Sequence, residues 1–566
     1  MAAPPQWRDA VGRMLAAPED ASAAVAGAWA LIACTGGHGR WADRKAALLA
    51  QGVDYAARCE ECASGGAAAA LVGALRVHAH NGEVAEPACV ALRNLAVSPS
   101  ANAVCVDAGA VPALLAALAQ GGVAPVLAEL AFVALNNIAA CGPGVRACLG
   151  SIPAIVAALA AQASVARAAD AGCCVLCCIA LESAASKGAI VAAGGVPVIV
   201  AVLTAHAGAA GLAVMASRTL QTIADSPSGR EGCVSGGAVP ALVAALTTLA
   251  AEADVADAVC AALASIAGCD SGTAACVEAC AVEAIVAALT AHASVEAVAA
   301  QASGALFIIA CNAPGMNACV VGGAAIPALV AALAAHAGTL SVVMQACGAL
   351  RKIGSSEAGR EACIALGAVP ATAAALAAHA GDEKVAMQAS GALFYFAASA
   401  AGKLACEAAG IVPVLTAVLT AHFGHPHITH FAGSALFFLT QQHAHLKLLH
   451  LPPDQLEARL ASCLECWLAK PRRACARAQQ PHSEPHQCPI CSLAVEDAGD
   501  VAALPCGHLF HKRCIMTWAA TQTRDARAQD ALPRSAFAVC PLDRSVITLR
   551  APGDLTQDEW DVQTQA

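Results

Sequence analysis

Eight residues near the C-terminus are the strongest candidates for chemistry in this chain. All eight are potential metal ligands in closely spaced groups: Cys488, Cys491, Cys506, His508, His511, Cys514, Cys540 and Asp543. A C-x-x-C pair lets two thiolates from one tight turn reach the same ion, and zinc takes four ligands in a tetrahedron at roughly 2.0–2.3 Å. Eight ligands at this spacing predict two structural zinc ions.

The size of the expected zinc domain supports a structural role for the metal. Residues 488–544 are too few to bury enough apolar surface for unaided folding, so zinc would supply much of the folding free energy. Asp543 is an acceptable zinc ligand, and no Cys or His follows it that could take its place.

The combination of C-x-x-C, CGHLFHKRC and CPLD resembles the RING finger of the two-histidine type. The resemblance implies a cross-braced pair of sites. One ion would be held by Cys488, Cys491, His511 and Cys514, and the other by Cys506, His508, Cys540 and Asp543. The last ligand departs from the usual cysteine, but CPLD is similar to the same segment in the small RING subunit of the cullin ligases.

The same resemblance implies a docking surface and an activity. Ile490, Trp518 and Pro541 stand at the family positions that form a shallow apolar groove for a ubiquitin-conjugating enzyme. Arg544 resembles the linchpin whose planar guanidinium hydrogen-bonds that enzyme and ubiquitin together. We therefore expect a RING-type ubiquitin-protein ligase that forms no covalent intermediate, since all five cysteines of the motif are ligands. The alternative is a non-catalytic scaffold whose zinc finger only mediates assembly.

The preceding chain is dominated by a repeat of about 43 residues. A phrase of the type G-[AGS]-[VI]-P recurs at steps of 41 to 44 residues, with Glu283 in one proline position, and a phrase A-L-x-x-[ILF] keeps the same steps. The prolines are Pro112, Pro153, Pro197, Pro240, Pro327, Pro370 and Pro413. Glycine and proline mark the end of one helix and the start of the next, so each repeat should contain two or three helices.

The start GAVP and the endings ALRNLA and ALNNIA resemble the armadillo family. This implies an all-α armadillo-like superhelical solenoid whose neighbouring repeats share one core, followed by a small zinc-stabilised α+β RING finger. We expect six parts in this order: a degenerate N-terminal helical cap (1–60), armadillo-like repeats (61–445), a C-terminal capping helix (446–470), a linker (471–487), the RING finger (488–544) and a C-terminal tail (545–566).

The concave surface of such a solenoid is a candidate binding groove. In peptide-binding armadillo proteins, asparagines on successive third helices form a ladder that pins an extended peptide. Here only Asn94 and Asn137 keep that ladder, and later positions hold residues such as Lys352 and Tyr395. This favours a specific protein partner over a transport adaptor, with these four residues facing the groove. An equally supported interpretation is that the two asparagines satisfy backbone groups inside the repeats.

Composition argues against several other functions. The chain has 566 residues, 58% of them hydrophobic, and a formal net charge of −10, so we expect no nucleic-acid partner. The 29 cysteines are expected to be reduced in a cytoplasmic or nuclear protein, because the N-terminus lacks the apolar segment of a signal peptide. The long apolar runs are rich in Ala and Gly and are broken by turns at the repeat, which predicts no membrane partner.

Two further residue patterns are expected to be structural. The C-x-x-C pair of Cys59 and Cys62 has no second pair at zinc-site spacing, so helix packing is favoured. Histidines recur nine residues after the proline position, at His206, His292, His336, His379 and His422. Stacked helices lie roughly 8–10 Å apart, too far for these histidines to share one ion, so we expect them to interact with helix C-terminal dipoles.

Overall fold

The computed structural model describes residues 6–37, 54–120, 122–422 and 425–440, together with five short strands in the C-terminal region. The chain divides into two compact units, Met1–Ala371 and Thr372–Ala566. Among the described residues, helices make up the first unit and the N-terminal part of the second, as the sequence predicted for the solenoid. Three of the five small strands lie within the expected finger (488–544), and the other two lie within the expected C-terminal tail (545–566).

The first unit is a succession of short helices. They are α1 (Gln6–Ala16), α2 (Ala21–Cys34), α3 (Tyr55–Cys62), α4 (Ala68–Val77), α5 (Gly82–Leu95), α6 (Pro99–Asp107), α7 (Ala110–Leu118), α8 (Pro125–Ala139), α9 (Gly142–Leu149), α10 (Ile152–Ala161), α11 (Ala166–Glu182), α12 (Ala184–Ala192), α13 (Gly195–Ala205), α14 (Ala210–Ala224), α15 (Pro227–Ser235), α16 (Ala238–Thr248), α17 (Ala253–Ile266), α18 (Asp270–Glu278), α19 (Ala281–Ala291), α20 (Glu296–Ile309), α21 (Ala313–Val321), α22 (Ala325–Ala335), α23 (Leu340–Ile353) and α24 (Glu357–Ala365). A π-helical turn, Ala63–Ala67, joins α3 to α4. Helix α3 spans the expected boundary between the cap and the repeats.

The second unit begins with the same pattern and continues into strands. Helix α25 (Ala368–Ala378) contains the boundary between the units, and the second unit continues with α26 (Glu383–Ala397), α27 (Ala400–Ala408), α28 (Ile411–Ala421) and α29 (Pro426–Thr440). The strands are β1 (Val501–Ala503), β2 (Leu509–His511), β3 (Phe537–Val539), β4 (Val546–Thr548) and β5 (Asp561–Gln563). Strands β1 and β2 form an antiparallel pair, and β3, β4 and β5 form an antiparallel sheet in that order.

Each complete repeat contains three helices, and the set α15–α17 shows how the sequence specifies them. The Oγ of Ser226 accepts a hydrogen bond from the Gly229 N–H at 3.1 Å, which caps the N-terminus of α15. Gly237 turns the chain into α16 with a φ of 75°, a left-handed conformation that glycine adopts without strain. The longer third helix, α17, then buries Leu263 and Ile266.

The turn between consecutive helices is sharp. Helices α6 and α7 meet at 69°, and α27 and α28 meet at 84°.

In the part of the chain that the structure describes, no single helix is both long and apolar enough to cross a membrane, whereas seven bent pairs of consecutive helices would qualify by length and composition.

The third helices form the continuous core of the first unit. Helices α5, α8, α11, α14, α17, α20 and α23 pack in sequence, each against the next. The leucines that recur in the A-L-x-x-[ILF] phrase, from Leu92 to Leu350, are fully buried at these contacts. Neighbouring repeats therefore share one apolar interior, because a single helix pair does not bury its apolar face alone.

Histidines link the second helices to the preceding repeats. His206 follows α13, and its Nε2 lies 2.8 Å from the carbonyl oxygen of Ala163. The same link recurs at 2.8–3.0 Å in four more places: His78 with Pro18, His292 with Ala250, His336 with Ala293 and His422 with Ala380. The helix-terminal location matches the sequence prediction, but the histidines also form hydrogen bonds between repeats.

We expect the substitution Cys280→Gly to stabilise the protein. Among the described residues, Cys280 is the one non-glycine residue with a positive φ, 54°, and it occupies the turn that Gly194 and Gly237 occupy elsewhere. A side chain in this conformation costs about 1–2 kcal/mol. Glycine removes that strain but adds about 0.4–1 kcal/mol of unfolded-state entropy. Urea unfolding should therefore show a gain of about 0.5–1 kcal/mol.

The matched control for this prediction is Gly237→Ala, which places a side chain in the same left-handed turn one repeat earlier. It should lower the free energy of unfolding by about 1 kcal/mol. A Cys280→Gly protein that is equally stable or less stable than the wild type would show that the turn carries no strain.

Candidate functional site

Three predicted zinc ligands lie in or between strands β1 and β2 in sequence: Cys506, His508 and His511. Ala503 lies opposite Leu509 in this antiparallel pair, so the two ends of the segment that carries Cys506 and His508 are held together. His511 is the last residue of β2, opposite Val501. His511 is thus at the end of β2, two residues beyond the Ala503–Leu509 pair that flanks Cys506 and His508 in sequence.

The second sheet brackets the last two ligand positions. Strand β3 ends at Val539, directly before Cys540, and Val539 lies opposite Val546 of β4. The antiparallel pairing holds together the ends of the segment that contains Cys540, Asp543 and Arg544. Strand β5 pairs with the other edge of β4, so the expected C-terminal tail (545–566) contributes two strands, β4 and β5, to this sheet.

The predicted ligand set fits zinc chemically. Thiolate, imidazole and carboxylate are the donors that zinc takes in proteins, and four ligands for each of two ions match tetrahedral coordination. Seven of the eight predicted ligands and the four predicted docking residues lie outside the described residues: Cys488, Cys491, Cys506, His508, Cys514, Cys540, Asp543, Ile490, Trp518, Pro541 and Arg544. Their roles remain predictions from the sequence.

The structure places Asn94 inside the protein. The residue is fully buried on α5, and its Nδ2 donates to the Thr35 Oγ1 at 3.0 Å and to the Gly37 carbonyl at 3.1 Å. Its Oδ1 accepts a hydrogen bond from the Arg93 guanidinium. These contacts support the interpretation that Asn94 satisfies internal polar groups. Its partners lie 57 and 59 positions away, which is why the sequence did not identify them.

Asn137 bridges two neighbouring third helices. It is half-buried on α8, and its Nδ2 donates to the carbonyl oxygen of Arg93 at 2.9 Å. The adjacent Asn136 accepts a weak hydrogen bond from the thiol of Cys178 on α11 at 3.5 Å. The remaining asparagine ladder therefore serves contacts between repeats in the first unit.

The other two groove candidates are partly exposed. Lys352 is half-buried near the end of α23 in the first unit. Tyr395 is half-buried on α26 in the second unit, where its ring meets Phe394 edge-on with centroids 5.0 Å apart. Phe394 also stacks on Phe438 of α29, with centroids 5.7 Å apart. Half-buried aromatic side chains on adjacent third helices suit a protein partner.

A shallow groove of about 530 Å³ lies across the third helices α8, α11 and α14. Its lining includes Glu129, Val133, Arg167, Asp170 and Met215. Arg167 pairs with Glu129 at 3.4 Å, and burial raises the pKa of Asp170. Sequence reasoning missed this groove. The available signal was the acidic residue six positions before the repeating leucine, seen at Glu129 and Asp170.

Comparison with known proteins identifies the C-terminal segment. Residues 486–544 match the family model of the Ring finger domain, and this range contains all eight predicted ligands. E3 ubiquitin-protein ligase RNF181 of Xenopus tropicalis is 50% identical over 32 residues, which are 6% of this chain and 20% of that protein. E3 ubiquitin-protein ligase RING1-like of Arabidopsis thaliana is 44% identical over 36 residues, which are 6% of this chain and 11% of that protein. The chain therefore spans a fifth or less of these relatives.

Solved structures resemble the helical part. An engineered protein from the Northeast Structural Genomics Consortium is 27% identical with a TM-score of 0.62, and the match covers 77% of this chain and 98% of that protein. A designed armadillo repeat protein in complex with the peptide (KR)4 is 24% identical with a TM-score of 0.38, covering 43% of this chain and 99% of that protein. This chain therefore combines a succession of three-helix repeats, in the part of it that the structure describes, with a C-terminal segment that matches the Ring finger domain.

Proposed function

We propose that this protein is a RING-type ubiquitin-protein ligase, in which the RING finger docks a ubiquitin-charged conjugating enzyme and the solenoid recruits a protein substrate. The observation that carries the proposal is the Ring finger match over residues 486–544, with every ligand position of the motif filled. The relatives that match this segment are named as E3 ubiquitin-protein ligases, which supports the same activity.

The RING finger would act by binding and orienting its partners. Bound zinc would supply a rigid fold, held in one site by Cys488, Cys491, His511 and Cys514 and in the other by Cys506, His508, Cys540 and Asp543. Ile490, Trp518 and Pro541 would then present an apolar groove to the conjugating enzyme. Arg544 would donate hydrogen bonds to that enzyme and to ubiquitin at once, which restrains the thioester in a reactive orientation.

The solenoid would raise the local concentration of substrate near the thioester. Linked binding sites convert the transfer into an effectively intramolecular event. The shallow groove beside Asp170 and the half-buried third-helix residues Asn137 and Lys352 offer polar and apolar contacts within the first unit. The proposal places this activity in the cytoplasm or the nucleus, with the substrate lysine as the acceptor of ubiquitin.

Discharge of ubiquitin from charged conjugating enzymes tests the proposal. The purified full chain should accelerate loss of the thioester for at least one enzyme of a panel, and Ile490→Ala should reduce that acceleration at least about tenfold. The reason is that Ile490 is proposed as a hot spot of this interface, and truncating a hot-spot residue costs about 2 kcal/mol or more. Leu181→Ser, at a 70% exposed position on the solenoid, is the matched control and should discharge ubiquitin normally. A chain that holds two zinc ions yet stimulates no enzyme would instead support the non-catalytic scaffold.

A further inference from the structure

Two cysteine thiols outside the RING finger lie in contact. Cys34 is the last residue of α2, and Cys62 is the last residue of α3. Their Sγ atoms are 3.4 Å apart, although the residues are 28 positions apart in sequence. Cys62 is buried, whereas Cys34 is half-buried. The pair therefore combines one thiol that a small reagent can reach with a second one directly behind it.

Asn94 contacts both of the segments that carry this cysteine pair. The Nδ2 of Asn94 donates to the Thr35 Oγ1 and to the Gly37 carbonyl oxygen, one and three residues after Cys34. The carbonyl oxygen of Asn94 accepts hydrogen bonds from the Tyr55 hydroxyl at 3.2 Å and from the Cys59 thiol at 3.3 Å, both on α3. Asn94 thus fixes the end of α2 against α3, and the closeness of the two sulfur atoms is a property of the packed core.

The neighbouring charges also bear on the chemistry of Cys62. Its hydrogen bond with Cys34 and its burial raise the pKa of the Cys62 thiol, while the Arg58 guanidinium one turn earlier acts in the opposite direction. Arg58 is itself held by Glu61 at 3.2 Å. Cys62 is therefore protonated at neutral pH, and the accessible Cys34 is the thiol that reacts first with an external reagent.

We propose that Cys34 and Cys62 form a thiol modification site that a low-molecular-weight disulfide, such as oxidised glutathione, converts into an intramolecular disulfide. The Cys34 thiolate attacks one sulfur of oxidised glutathione, forms a mixed disulfide and releases one glutathione thiolate. Cys62 then gives up its proton and attacks the Cys34 sulfur, which expels the second glutathione thiolate, and the protons of the two cysteines end on the two released glutathione thiolates. Two protein thiols are oxidised to one disulfide while one oxidised glutathione is reduced to two glutathione molecules.

The structure requires little movement for this closure. A disulfide has a sulfur–sulfur distance of about 2.05 Å, so the two atoms need to approach by about 1.4 Å. Both cysteines are helix-terminal, and a π-helical turn with Gly66 at a φ of 94° follows Cys62. The bond would join α2 to α3 covalently and tether the N-terminal helices to the first repeat.

Mass spectrometry of the full-length protein tests the proposal. The protein is incubated with oxidised glutathione, remaining thiols are alkylated, and trypsin is added. We expect the peptide 14–40, which contains Cys34, to be linked to the peptide 59–76, which contains Cys59 and Cys62. The linked species should disappear on reduction. Raising the pH should speed the closure, because thiolates are the attacking species in both steps.

Two substitutions within the peptide 59–76 test whether Cys62 or the neighbouring Cys59 is the partner of Cys34. Cys59→Ser should keep the link to at least half its wild-type yield, whereas Cys62→Ser should lose it and retain glutathione on Cys34. Circular dichroism establishes that both variants are folded. The proposal is overturned if wild-type Cys34 stays as a glutathione adduct, if neither cysteine reacts, or if Cys62→Ser forms the link as well as the wild type.

Discussion

We expect His511→Ala to release zinc and to abolish ubiquitin discharge, while the helical solenoid remains folded. Structural zinc contributes on the order of 10 kcal/mol to folding in small zinc domains, and a segment as short as residues 486–544 buries little apolar surface of its own. Loss of one ligand in the cross-brace should therefore unfold the whole finger. Metal analysis should fall from two ions per chain to one or fewer, and far-UV circular dichroism should stay nearly unchanged.

His482→Ala is the matched control for this result, since His482 precedes the finger and occupies no ligand position. It should keep two zinc ions and full activity. A chelator applied to the wild type should reproduce the His511→Ala behaviour, and readdition of zinc should restore it. Retention of both ions by His511→Ala would mean that this histidine is no ligand and that the proposed cross-brace is incorrect.

Arg544→Ala is expected to slow ubiquitin discharge by roughly ten- to a hundredfold without loss of zinc. Hydrogen bonds to a charged group contribute about 1.5–3 kcal/mol, and the proposed linchpin forms them only when the conjugating enzyme and ubiquitin are aligned. Arg544→Lys should recover little of the rate, because an ammonium group lacks the planar fork of donors. Single-turnover discharge measures the rate, and metal analysis establishes that the finger is intact.

Arg550→Ala provides the comparison for this prediction, because it removes the same charge six residues further along the chain. Its discharge rate should equal that of the wild type. Equal rates for Arg544→Ala and the wild type would exclude the linchpin role, and a loss of zinc in Arg544→Ala would assign Arg544 to the fold. The two variants together separate a positioning role from a general effect of positive charge.

The sequence was sufficient for the parts of this protein that depend on local spacing. Zinc ligands recur at short gaps because one turn must direct two side chains at one ion, so the C-x-x-C and CGHLFHKRC patterns identified the finger. The helix boundaries marked by glycine and proline could also be predicted from the sequence. Glycine and proline act within a few residues of their own position, and the phrase around Pro240 correctly marked the start of α16.

The tertiary structure decided what the side chains of the repeats do. Asn94 had two equally supported interpretations, and only the packing of α2 and α3 against α5 showed that its amide is used internally. The histidine links and the contact of Cys34 with Cys62 are equally invisible in sequence, because their partners lie 28 to 60 positions away. A periodic pattern specifies which face of a helix is buried. The distance between two particular atoms on different helices is set by how those helices stack.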